Sequence, residues 1–128
     1  MVYSEHFLEH LDDSAGRRFI EESFRVLKQG GVFSVVVPDA GRAVQEYVAG
    51  GGPLLSQLKP FHGEKATLFD QLNHIFHQGD QHRWLYDPDT LRLRLIETGF
   101  RDVHERQFDP QLDFDFRAFE SLYFDAVK

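Results

Sequence analysis

Residues Val32-Phe33-Ser34-Val35-Val36-Val37 are almost continuously apolar and β-branched, without the alternation of a half-exposed strand. Such a run predicts a strand buried on both faces, as in a parallel sheet covered by helices. Pro38 closes it. Ahead of it, Ile20, Phe24 and Leu27 recur at i, i+4 and i+7, with Phe19 widening the stripe, so residues 15–28 predict an amphipathic helix. Asp12-Asp13-Ser14 offers N-caps, Lys28 suits the negative end of the helix dipole, and Gly30-Gly31 turns the chain. Met1-Val2-Tyr3-Ser4 reads as the end of an earlier strand. Strand, helix, tight turn and buried strand make a βαβ unit. An opening in mid-strand suggests a chain that begins inside a larger architecture.

Beyond Pro38 the pattern is more broken. Ala43, Val44, Tyr47 and Val48 place a short helix over 40–49, and Gly50-Gly51-Gly52-Pro53 is the strongest break in the chain. An insertion follows over about 50–82. Leu68, Leu72, Ile75 and Phe76 predict a helix there from about Glu64 to His77, and residues 82–86 read as extended. Asp87-Pro88 starts another helix, with Leu91, Leu95 and Ile96 as its stripe and Gly99 as its stop. Val103, Glu105 and Gln107 suggest a strand. Residues 109–118 suggest a solvated loop, its Asp109, Asp113 and Asp115 alternating with Phe108, Phe114 and Phe116 as anchoring rings. In the closing strand, 120–128, Leu122, Phe124 and Ala126 share a face.

Composition narrows the partners. The 128 residues fit one domain, and 14 Lys and Arg against 21 Asp and Glu leave a net charge of -7. An acidic surface disfavours nucleic acid and anionic membranes. No run approaches the roughly 20 apolar residues of a spanning helix. Cysteine is absent, which excludes disulfides, thiolate metal sites and thiol nucleophiles and fits a cytoplasmic setting. Phe supplies 13 of the 18 aromatics, which suggests a core of flat rings.

His6-Phe7-Leu8-Glu9-His10 spells H-x-x-E-H, the inverted zinc-protease signature. That reading leaves the flanking residues unexplained. Taken in order, five segments resemble the second half of a class I S-adenosylmethionine-dependent methyltransferase of the methyltransferase-11 type. They are Tyr3 to Leu11, Phe24 to Gly31, Val35 to Asp39, Leu85 to Phe100 and Glu120 to Lys128. Gln29 stands where that family usually has Pro. The resemblance implies a three-layer, Rossmann-like α/β sheet in the order 4-5-7-6 of the family's strand count, with the last strand antiparallel beside Val32–Val37. It also implies that the Gly-rich cofactor half of the sheet is not among these residues. Gly50-Gly51-Gly52 cannot replace that half, since it does not follow a strand and open a helix.

The function that follows by resemblance is methyl transfer to a small molecule. S-adenosylmethionine would meet Ser4, Glu5 and His6, and bind weakly or not at all to these residues alone. Candidate catalytic bases are His6, His74 and His82, since imidazole titrates near neutral pH. Two alternatives stand beside it. One is a non-catalytic, methyltransferase-like interaction module. The other is a metal-dependent enzyme using His6, Glu9 and His10, because methyltransferases of ubiquinone biosynthesis and small-RNA end methylation bind a divalent metal through E-x-x-E-H at this place. His74, His77 or His82 would add an imidazole. An exposed edge at Val2–Ser4 predicts a homo-oligomer with residues 1–11 near its interface.

Overall fold

The computed structural model describes residues 1–128. The apolar run forms strand β2, Val32–Pro38. It is central because both neighbours are bonded to it. Strand β1, Val2–Glu5, runs parallel with Val2 opposite Phe33 and Glu5 opposite Val36. Strand β4, Ser121–Val127, runs antiparallel with Val35 opposite Phe124. Strand β3, Arg101–Glu105, pairs antiparallel on the far side of β4, with a register irregularity between Arg101 and His104. The order β1-β2-β4-β3 is the one the resemblance implied.

One face of this sheet carries Phe33, Val35 and Val37 together with Leu122, Phe124 and Ala126. Helices α1, Asp13–Val26, and α5, Pro88–Thr98, cover it with Ile20, Leu91 and Leu95. Phe33 stacks on Phe100 at 5.7 Å, and Phe24 meets Phe100 edge-on at 5.0 Å. Each buried ring contributes about 1.5–3 kcal/mol through lost apolar surface. The ring core is smaller than composition suggested: Phe33, Phe100 and Phe124 are buried, while Phe7, Phe61, Phe69, Phe114 and Phe116 are exposed.

The opposite face holds Tyr3, Ser34, Tyr123 and Asp125, and the segment after β3 folds over it. Arg106 donates to Ser34 Oγ at 3.1 Å and Asp125 Oδ1 at 3.2 Å, and grips Asp113 with two bonds of 2.6 Å. Tyr3 and the Asp109 N–H also donate to Asp113. The 109–118 loop is therefore tied down by a buried aspartate rather than by its rings. Asp113 has no exposed side-chain surface, while Phe114 and Phe116 are each 65% exposed.

The insertion packs with the helix ahead of it into a small helical module past the carboxyl end of β2. Helices α2, Ala40–Val48, α3, Pro53–Leu58, and α4, Leu68–His77, bury Ala40, Ala43, Leu54, Leu55, Leu58 and Ile75 against one another. Helix α3 escapes the periodicity because six residues are too few to show it. The Glu46 carboxylate accepts the Leu54 and Leu55 amides at 3.2 and 2.9 Å, clamping α3 to α2. A Cβ at Gly52 would collide with that carboxylate. Helix α4 starts at Leu68 rather than Glu64, because Thr67 and Asp70 form a reciprocal capping box. Helix α1 stops at Val26, so Lys28 lies beyond it, and Lys128 supplies the cation instead. Its Nζ donates to the carbonyls of Phe24, Arg25 and Leu27 at 2.6, 3.2 and 2.8 Å. Ile96 is 53% exposed, so α5 packs through Leu91 and Leu95. Residues 82–86 form no strand: their backbone makes a single parallel bridge, Tyr86 to Asp39, and the Tyr86 ring packs in the core. No helix is long and apolar enough to cross a membrane.

Candidate functional site

The chain leaves β1 at Glu5 and turns sharply at His6, which takes a left-handed φ of 46°. A non-glycine residue there is unusual and must be held by its contacts. Arg117 donates from Nη1 to His6 Nδ1 at 2.9 Å, and a guanidinium can only donate. His6 Nε2 therefore carries the ring proton and donates to Ser121 Oγ at 2.8 Å, while that hydroxyl donates to the Arg117 carbonyl. His6 is a fixed neutral ring whose lone pair is engaged. It is poorly placed to take a proton from a substrate or to bind a metal.

The turn continues as a single 3-10 turn, Leu8–His10, which drives Leu8 and Glu9 into the interior. Glu9 is completely buried, and neither of its carboxylate oxygens takes a hydrogen bond from the protein. Its Oε1 stands 3.4 Å from His6 Nδ1 and 3.7 Å from His10 Nε2. His10 donates from Nδ1 to the Gln81 carbonyl at 3.0 Å, which leaves Nε2 as a lone pair. His82 arrives from the end of the insertion. Its Nδ1 donates to the Ile75 carbonyl, and its Nε2 is buried without a partner. Burial lowers the His82 pKa, although the bond to Ile75 opposes this. The His10 and His82 rings meet edge-on at 5.2 Å. Donor atoms of Glu9, His10 and His82 all lie within 4.8 Å of one another. Two backbone bonds, from the Arg83 and Trp84 amides to the Glu9 carbonyl at 2.8 and 3.3 Å, hold the insertion in register with this turn.

The other sequence candidates separate. His74 turns outward and pairs with His62 at 2.9 Å beside Phe61. Burial and the charge of His62 lower its pKa. Ser4 is buried in β1 with its hydroxyl unpartnered. Glu5 and His6 instead line an open cleft of about 450 Å³ with Tyr3, Phe114, Phe116 and Arg117. In that cleft Glu5 is already engaged, accepting from the Tyr3 hydroxyl at 2.6 Å and the Phe114 amide at 3.2 Å.

Three neighbours of the cleft were not legible as site residues. Arg117 and Ser121 orient His6. Glu120 lies 3.9 Å from Arg117, and burial pushes its carboxyl above the ordinary range while the Arg117 charge pulls it back. The only sequence signal was their position at the start of the last strand, where the chain crosses the carboxyl edge of the sheet.

Among solved structures, the chain is similar to a SAM-dependent methyltransferase from Archaeoglobus fulgidus. The TM-score is 0.55 at 15% identity, covering 99% of this chain. The chain spans 58% of the length of that protein. No family model matches the sequence. No curated protein matches it either. At this identity the likeness shows the fold, a Rossmann-like methyltransferase sheet with its helices.

Proposed function

We propose that these residues form the acceptor-side part of an S-adenosylmethionine-dependent methyltransferase acting on a small molecule. The observation that carries the reading is the sheet: a parallel pair, β1 and β2, with the last strand inserted antiparallel beside β2. The carboxyl ends of such strands are where open α/β sheets bind ligands. The cleft with Glu5 and His6 lies there. Methyl transfer asks a protein to align the sulfonium, exclude water and accept a proton from the nucleophile. Tyr3, Phe114 and Phe116 line the cleft with aromatic surface, and Arg117 fixes His6.

The residues present fit only one side of the cofactor, because the Glu5 and His6 polar atoms are engaged and the cleft is open. We expect the isolated chain to bind S-adenosylmethionine no tighter than roughly millimolar, about -4 kcal/mol. Amide chemical shifts should move at Tyr3–His6 and Phe114–Arg117 when the cofactor is added at that concentration. Micromolar binding by calorimetry, or shifts confined to another surface, would sink the assignment.

A second reading, an interaction module, is favoured by the edge of β1. That strand pairs only with β2, and Phe7, Phe114 and Phe116 lie exposed near it. Unpaired edges and apolar patches recruit partners. The expected result is a homodimer by light scattering at micromolar concentration. A monomer whose Val2–Ser4 amides resist hydrogen exchange rejects it.

A further inference from the structure

We propose that Glu9, His10 and His82 together bind one divalent ion of the zinc class, which fastens the helical insertion to the turn after β1. The argument does not rest on the methyl-transfer reading. It starts from three acceptors that face one another with no donor among them. Glu9 is wholly buried with both oxygens unpartnered, and His82 Nε2 is buried and unpartnered as well. A buried carboxylate is costly unless it is paired or coordinates a metal.

The imidazoles are prepared for that partner. Each uses Nδ1–H on a backbone carbonyl, His10 on Gln81 and His82 on Ile75. That bond fixes the tautomer and leaves Nε2 as a free lone pair, the arrangement that supports metal-bound histidines. An ion pair explains the group less well. The 3.7 Å between His10 Nε2 and Glu9 Oε1 is too long for a hydrogen bond. It is close to the separation of about 3.3 Å that two ligands at roughly 2.0–2.1 Å from a tetrahedral ion would have. Two nitrogens and one carboxylate select zinc, cobalt or nickel over magnesium.

The ligand set differs from His6, Glu9 and His10. His6 gives its lone pair to Arg117, and His82 from the insertion takes the third place. Glu9 and His10 belong to the turn after β1, whereas His82 follows α4. Binding therefore joins segments that only the folded chain brings together, and it must stabilise the fold.

The test uses the full 128-residue chain, stripped with chelator and titrated with Co²⁺, then Zn²⁺. One equivalent of Co²⁺ should give visible d–d absorption that Zn²⁺ abolishes. Zn²⁺ at a hundred times its Kd should raise Tm by roughly 10 °C. His82→Asn, which can still donate to the Ile75 carbonyl, should weaken Co²⁺ binding at least about tenfold. The nearly isosteric Glu9→Gln should do the same, so the result does not depend on one variant folding. His6→Ala and His62→Ala should leave Co²⁺ affinity unchanged. Absence of stoichiometric binding, affinity that survives both His82→Asn and Glu9→Gln, or affinity lost in His6→Ala or His62→Ala would overturn the assignment. Loss in His62→Ala would place the binding at the surface imidazole pair, His62 with His74.

Discussion

Arg106→Ala should lower the unfolding free energy by about 3–5 kcal/mol, the usual cost of leaving one partner of a buried ion pair alone. The guanidinium is 11% exposed and the Asp113 side chain not at all. Removing Arg106 takes away both bonds to Asp113 and those to Ser34 and Asp125, while Asp113 keeps Tyr3 and the Asp109 amide. Denaturant titration should show the loss, and Tm should fall by roughly 10–20 °C. Arg106→Lys should recover little, since an ammonium cannot reproduce the paired bonds. The acid limb of the stability curve provides a second check. Burial by itself would raise the Asp113 pKa, but Arg106, the Asp109 amide and Tyr3 outweigh it and the net shift is downward. The unfolded chain thus binds the proton first. The contribution is complete above the ordinary aspartate pKa of about 3.9 and disappears as pH falls through the lower folded value. Arg106→Ala should flatten this acid-induced loss. An unchanged midpoint would mean that the 109–118 loop adds nothing to the fold.

Glu9→Met should act in the opposite direction and stabilise the metal-free chain by about 1–3 kcal/mol. The carboxylate is buried beside Leu8 and faces the His6, His10 and His82 rings, with no hydrogen-bond donor on either oxygen. A side chain of similar length without charge removes that desolvation cost and keeps the packing. Measured with chelator present, the midpoint should rise; with Zn²⁺ present, the advantage should shrink or reverse, because the variant has lost a ligand. A fall in stability with chelator present would show instead that the carboxylate is held by charged His6 or His10.

The sequence pattern carried most of the sheet and less of the site. Val32–Val37 announced a buried strand, and Leu122, Phe124 and Ala126 announced the face that meets it. Both are period signals, which local sequence states directly. Helix α3 stayed hidden because Pro53–Leu58 is shorter than two turns, and Val26 ended α1 where the apolar stripe ran on to Leu27. Leu27 is buried by tertiary packing, which a helical period cannot distinguish from helix. The site failed for a related reason. Glu9 and His10 were visible as a motif, but His82 joins them only because α4 ends in a left-handed Gln78 that turns the chain back. Likewise His6 matched a ligand position, yet Arg117, far along the sequence, had already claimed its lone pair. Asp113 read as solvated since nothing nearby in sequence reveals that Arg106 and Tyr3 will enclose it.

The way β4 and Lys128 close the sheet and cap α1 also sets how the sheet must fold. Strand β2 finds β1 across a short crossover, but its other neighbour is β4, with Val35 opposite Phe124. The last carbonyls of α1 are met by Lys128, 101 positions after Leu27. A nascent chain can make the β1-α1-β2 unit early, yet it keeps one flank of its most apolar strand unpaired until β4 arrives. Loops of that length close slowly, and a sheet dominated by distant pairings folds slowly compared with a helical bundle. During that interval the open flank of β2 is the stretch most prone to pair with another chain, so the hazard in making this protein is concentrated in Val32–Val37.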